Sequence, residues 1–208
     1  MKRKLLPFLI LVFLISNIGL AQKKADHKDT EFYSPVPKVI TPGKTTNPAP
    51  SDAIILFDGK NLDEWIPSDP KANSSWSIAD NAMLVNKAAG DIQTKRTFMD
   101  FQLHIEYRIP KNITGTDQAR GNSGIFLASV PVGAGGYELQ VLDNYQNATY
   151  VNGQAGSIYK QSAPLVNACL PPGEWQTYDV IWTAPRFTED GKIKSPARVT
   201  VLHNGVLV

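Results

Sequence analysis

Alternation of apolar and polar side chains is clearest between Phe101 and Ile109. Phe101, Leu103, Ile105, Tyr107 and Ile109 share one parity there, and Gln102, His104, Glu106 and Arg108 the other. Successive strand side chains point to opposite faces, so this stretch predicts a strand with one greasy and one ionisable side. Tyr137 to Leu142 repeats the pattern, with Tyr137, Leu139 and Val141 against Glu138 and Gln140. Between them, Asn122 to Val130 is predicted as a third strand, following Arg120. Its Gly121 and Gly124 leave room for another backbone or a ligand to come close. If the three strands share a sheet, their polar faces gather Glu106, Glu138, His104, Arg108, Arg120, Asn122 and Gln140 on one surface.

Elsewhere the apolar runs are short and separated by turn pairs, and helical periodicity is weak. Ala53 to Phe57 reads as a strand closed by Asp58-Gly59, and Asp80-Asn81 as a turn before a strand from Ala82 to Val85. Tyr145 to Gln154 reads as a polar loop, Ser157 to Tyr159 as a short strand, and Glu174 to Thr183 as a strand whose faces are both mixed. Asn204-Gly205, after Ala197 to Leu202, is a strong hairpin signal. Its return arm, Val206 to Val208, is three residues long and predicts a fragment whose closing strands are absent. Strands punctuated this way imply an all-β sandwich or jelly roll.

The 208 residues suffice for one such domain with a core that needs no disulfide. Met1 to Ala21 reads as an export signal: Lys2, Arg3 and Lys4, then the apolar run Leu5 to Ile15, then Gly19-Leu-Ala21. The expectation is a secreted or periplasmic protein with no membrane span after cleavage. Residues 22–51, broken by Pro35, Pro37, Pro42, Pro48 and Pro50, predict a linker or extended arm that Phe32, Tyr33 and Val39 could pin to a domain over 52–208. The balance of 21 basic and 19 acidic residues, net +2, argues against a nucleic-acid partner. The lone Cys169 reads as a small buried hydrophobe rather than a reactive thiol.

Eight stretches occur in an order that resembles one family. They are Leu56-Phe-Asp-Gly-Lys-Asn-Leu-Asp-Glu-Trp65, Gly90-Asp-Ile-Gln-Thr94, Asp100-Phe-Gln-Leu-His-Ile-Glu-Tyr-Arg108, Arg120-Gly-Asn-Ser-Gly-Ile-Phe126, Tyr137-Glu-Leu-Gln-Val-Leu-Asp143, Gly156-Ser-Ile-Tyr159, Pro172-Gly-Glu-Trp175 and His203-Asn-Gly-Val206. The chain resembles the 3-keto-disaccharide hydrolase domain family. That resemblance implies a concanavalin-like jelly roll of two antiparallel sheets, with a site on the concave face that cleaves glycosides already oxidised at sugar carbon 3.

A ketone at carbon 3 acidifies the proton on carbon 2, so a base can form an enolate that expels the glycosidic oxygen from carbon 1. Such a reaction needs a general base and a group to hold the oxyanion. Glu138, Glu106 and His104 are the candidate catalytic residues; Arg120, Asn122, Gln140 and Arg108 are the candidate substrate contacts. A divalent metal held by Glu and His is an alternative polarising group, although no closely spaced His or Cys ligand motif is present. An ordinary glycosidase would use two carboxylates about 5 to 9.5 Å apart. The strand Glu138-x-Gln140-x-x-Asp143 has an amide where glucanases of this shape carry their middle acid, which disfavours that mechanism. Against these readings stand plainer ones. Glu106 and Arg108 could be solvated ladder partners on an outward face, His203 and Asp143-Asn144 structural groups, and the whole sheet a non-catalytic carbohydrate-binding module.

Overall fold

The computed structural model describes residues 26–39, 49–72, 75–129 and 135–208. The expected export signal and Val130, the end of the strand predicted from Asn122, lie outside these residues, as do parts of the expected arm. Among the described residues fourteen strands follow one another: β1 (Lys38–Val39), β2 (Trp65–Pro67), β3 (Ser77–Ala79), β4 (Ala82–Leu84), β5 (Ile92–Thr94), β6 (Phe101–Arg108), β7 (Ser123–Leu127), β8 (Tyr137–Val141), β9 (Val166–Asn167), β10 (Trp175–Thr183), β11 (Arg186–Phe187), β12 (Ile193–Ser195), β13 (Arg198–His203) and β14 (Val206–Leu207). The helical elements among the described residues are short 3-10 turns, and no helix there is long and apolar enough to cross a membrane.

One layer is an antiparallel sheet in the order β14-β13-β10-β6. The other is the antiparallel pair β7-β8, extended past β8 by a single bridge from Leu139 to Ile158. Between the layers lies the main core. Leu127, Leu139 and Val141 pack there with Tyr178, Val180, Trp182 and Val201, and the apolar parity of β6 closes over them. The Tyr178 hydroxyl donates to the Gln140 carbonyl at 2.9 Å, tying one layer to the other. The chain is an all-β jelly-roll sandwich, as the strand spacing predicts.

Local chemistry accounts for the turns. Asn204 and Gly205 both have positive φ, 52° and 77°, which suits the twist of a two-residue hairpin. The Asn204 side chain also accepts from Thr177 N at 2.8 Å and donates to Ala168 O at 2.8 Å. Its neighbour His203 is buried, with Nε2 2.9 Å from the Tyr107 hydroxyl and 3.1 Å from Gln176 Oε1. This polar cluster explains the mixed pattern of β10, where Gln176 faces inward with Tyr178, Val180 and Trp182. Cys169 is buried in a second small cluster with Leu142 and Ala155, and burial pushes its thiol up to about 12.

Two local expectations are corrected. Ala53 to Phe57 forms no strand: Ile54 and Ile55 are exposed, and the Leu56 carbonyl accepts from Trp65 Nε1 at 2.7 Å instead of from a ladder partner. Ser157 to Tyr159 is reduced to the bridge at Ile158, because Gly156 enters it at φ 84° and Ser162 N folds back onto Ile158 O at 2.9 Å. The polar segment before it is a loop, as expected, whose second half is turned inward. Tyr150 to Gln154 are buried around a 3-10 turn at Val151–Gly153, with Asn144 Oδ1 accepting from Ala155 N at 2.7 Å.

The arm packs against the domain. Val151 N donates to Phe32 O at 2.9 Å, and β1 pairs in parallel with β9, through Lys38 with Val166 and Val39 with Asn167. Pro37 is buried, while Phe32, Tyr33 and Val39 remain exposed. Hydrogen bonds, the buried Pro37 and an edge contact of Tyr33 with Tyr150 hold it.

Candidate active site

The seven candidate residues do not share a surface. β6 pairs with β10, not with β7 or β8, and its apolar parity is turned toward the core. His104, Glu106 and Arg108 therefore point away from β8, on the outer face of the four-stranded sheet. There His104 Nδ1 lies 2.6 Å from Asp179 Oδ1, the cross-strand neighbour, and its Nε2 lies 4.0 Å from Glu106. The Arg108 guanidinium sits over the Trp175 ring at 4.9 Å. These are solvated ladder contacts, with His104, Glu106 and Asp179 about half exposed and Arg108 exposed. The expectation that Glu106, His104 and Arg108 join Glu138 is thus corrected: a shared parity pattern says nothing about which sheet a strand enters.

On the opposite layer, Leu139 and Val141 fill the core, so Glu138 and Gln140 face outward from β8. Pairing with β7 places Gly124 opposite Gln140. A Cβ added to Gly124 would fall 2.3 Å from Glu138 Oε1, so the missing side chain is what lets the carboxylate lie across β7. On the other flank Tyr159 N donates to Glu138 O at 2.9 Å, and Gln140 N to Ser157 O at 3.0 Å. Antiparallel register around the Leu139–Ile158 bridge puts the Ser157 and Tyr159 side chains on the same face as Gln140 and Glu138.

The Glu138 carboxyl is pushed above the ordinary carboxylate range, first by burial and then by the negative charge of Asp91. Asp91 is held by its neighbours: Trp76 Nε1 donates to Gly90 O at 2.9 Å, and Ser68 N to Asp91 O at 2.9 Å. Gln140, fully buried, has its side-chain nitrogen 3.1 Å from Gln118 Oε1. With that amide turned over, as its surroundings favour, the nitrogen donates instead to Glu138 Oε1 at 3.1 Å and Ser123 O at 3.0 Å. Gln118 itself is fixed by bonds to Thr149 Oγ1 and Gly153 O, at 2.8 and 2.9 Å. Asn122 donates to Gln118 O at 3.0 Å and remains exposed. The arrangement is a half-buried acid with a raised pKa, flanked by oriented amides.

Arg120 behaves differently from its expected role. Its Nε lies 2.7 Å from Asp143 Oδ2, and Asp143 is almost wholly buried. Asp143 also accepts from Tyr145 N at 3.0 Å, and its own amide donates to Arg120 O at 3.2 Å. Arg120 is engaged in holding the Gly121 turn to the end of β8. The side chain reaches this acid because Gly121, at φ 68°, sits against Ile109 and Asp143 with no room for a Cβ.

Residues that sequence reasoning left without a role include Asp91, Gln118 and Tyr159. Asp91 and Tyr159 fall within stretches that carried the family resemblance, so a signal existed; Gln118 belongs to none of them. Among the described residues no group of three or more His, Cys, Asp and Glu side chains gathers as a metal site. Glu138 and Asp91 together offer two carboxylates, which falls short of a complete set of protein ligands.

A family model described as the 3-keto-alpha-glucoside-1,2-lyase-like domain matches residues 52–208. The chain belongs to this family. Membership in the lyase-like domain family places it among carbohydrate-active proteins. A crystal structure from Parabacteroides distasonis ATCC 8503, of a "putative glycosyl hydrolase", is 55% identical, covering 88% of this chain and 76% of its own, with a TM-score of 0.72. A second structure from that organism, described in the same words, is 21% identical over 74% of this chain and 69% of its own, with a TM-score of 0.52, and shows likeness of fold alone. No curated protein matches the chain.

Proposed function

We propose that this lyase-like domain cleaves glycosides oxidised at carbon 3, with Glu138 as the base. The observation that carries the reading is the Glu138 carboxyl, half-buried on the outer face of β8, raised in pKa and given its space by Gly124. A base of raised pKa is a stronger proton acceptor once ionised. In the proposed step Glu138 takes the proton from carbon 2, and the C–H electron pair becomes the carbon 1–carbon 2 double bond as the glycosidic oxygen leaves carbon 1. That oxygen takes up a proton to give the free alcohol. Addition of water across the new double bond then yields net hydrolysis. Asn122, exposed and of the same parity as Gly124, is the amide open to the sugar, while the fully buried Gln140 aims the carboxylate.

The family description and the P. distasonis relative support carbohydrate cleavage; the oxidised substrate is our inference from the family's 3-keto description, and Glu138 is a base suited to it. We also propose that the protein is exported, on the strength of its basic, apolar and small-residue leader. The test is release of aglycone from a 3-keto-glucoside, compared with its unoxidised parent and with a substrate deuterated at carbon 2. Turnover confined to the oxidised sugar and slowed by deuterium is the expected result. Equal cleavage of the unoxidised sugar would overturn elimination, and binding without turnover would make the face a carbohydrate-binding module.

A further inference from the structure

The matched family region begins at residue 52, yet the arm before it reaches the flank of the Glu138 face. Glu31 of the arm pairs with Lys160 at 2.9 Å, and Lys160 Nζ also lies 3.3 Å from His27 O. Both charged side chains are largely buried, 17% and 15% exposed, which sets this contact apart from surface pairs that contribute little. Lys160 in turn lies over the rings of Tyr150 and Tyr159, at 5.2 and 5.7 Å from their centroids. The two tyrosine hydroxyls are hydrogen-bonded to each other, and Tyr33 of the arm meets Tyr150 edge to face. Asn152 Nδ2 donates to Thr30 O at 2.8 Å, and Lys160 N to Asn152 O at 2.7 Å, so the arm and this loop are bonded on both sides of the ion pair. Tyr159 is the residue whose amide donates to Glu138 O and whose side chain shares the Glu138 face.

We propose that the docked arm is part of the sugar-binding apparatus: through Lys160 it positions Tyr159 beside Glu138, where the phenol contacts the substrate. An aromatic ring with a hydroxyl at its edge suits a sugar, offering an apolar face to ring hydrogens and a polar tip to a hydroxyl. Glu31 and Lys160 are positioning residues here, and Tyr159 is the contact. The proposal rests on Glu138 marking the sugar site, but its test separates the two.

Glu31→Gln and Lys160→Gln should raise KM for a 3-keto-glucoside about fivefold to tenfold while leaving kcat within about twofold, the sign of lost ground-state binding. The charge swap Glu31→Lys with Lys160→Glu should recover most of that loss. Tyr159→Phe, which keeps the ring, should raise KM less than Tyr159→Ala does. Independently of any substrate, hydrogen exchange at the Tyr159 amide should quicken about tenfold or more when Glu31 is neutralised, as the local opening becomes easier. Unchanged Tyr159 exchange in Glu31→Gln would overturn the positioning by the arm. Unchanged KM in Tyr159→Ala would overturn the contact. If the unaltered protein turns over no 3-keto-glucoside, the function proposed above fails, and affinity for the sugar measured by titration replaces KM in deciding for or against the arm.

Discussion

Glu106 and Glu138 stand on opposite outer faces of the sandwich, with the core that contains Ile105, Leu139 and Tyr178 between them. Ordinary two-carboxylate chemistry across one glycosidic bond is closed to that pair, whatever the substrate. Glu138→Gln should therefore abolish turnover, with a loss of about a hundredfold to ten-thousandfold expected for a general base. Glu106→Gln should stay within about twofold of the unaltered protein, as an exposed position away from the chemistry would. Steady-state kinetics of the two variants on one substrate provide the check.

Asp91 sharpens the identity of the base. Its charge helps hold the Glu138 proton, so the acid limb of kcat/KM should lie above the ordinary Glu value of 4.5. Replacing Asp91 with Asn removes that charge and should move the limb down, while burial keeps it above 4.5. A limb that does not respond to Asp91→Asn would exclude Glu138 as the titrating base. The kcat/KM profile is the right measure because it reports the free enzyme.

How much of this was legible beforehand depended on which physical rule each feature obeys. Parity named the outward residues of β6 and β8 correctly, because alternation is a property of the single strand. It was silent on sheet membership, which is set by long-range pairing: β6 finds β10 some seventy residues later, so the acids of β6 and β8 parted. Arg120 looked like a free cation because nothing local tied it to its partner Asp143, twenty-three residues on, which read only as a structural group. Gln118 had no signal at all, since a 3-10 turn imposes no periodicity. Gly124 was legible in kind: a glycine in a strand marks a close approach, and here the close approach is by Glu138.

The Arg120–Asp143 pair predicts a stability defect rather than a binding defect. Arg120→Ala leaves a buried carboxylate without a cation and with only the Tyr145 amide as donor, at a cost of about 3 to 5 kcal/mol. Chemical denaturation should show that loss in the midpoint with no change in slope. Removing both partners with Arg120→Met and Asp143→Leu should restore part of it, since no charge is then left buried and unpaired. A variant Arg120→Ala that is as stable as the parent and loses only affinity would return Arg120 to the substrate contacts.

His203 makes the stability of the fold depend on pH in a defined direction. Burial lowers its pKa from 6.5 to about 3, so the folded protein keeps the ring neutral where the unfolded chain would protonate it. Between those two values the unfolded state binds the extra proton, and stability falls as pH falls. The slope approaches about 1.4 kcal/mol per pH unit well below 6.5 and ends near the folded value, where both states are protonated. Glu138 acts in the opposite sense, since its raised pKa lets the folded state bind the proton more tightly than the unfolded chain does. The two contributions are separated by comparing the parent with His203→Gln, which keeps a hydrogen-bonding side chain but cannot titrate. Urea denaturation from pH 7 down to pH 5 should show the parent losing stability faster than the variant. Parallel curves would mean that His203 accepts a proton inside the core, among Tyr107, Gln176 and Tyr178, without the penalty its burial implies.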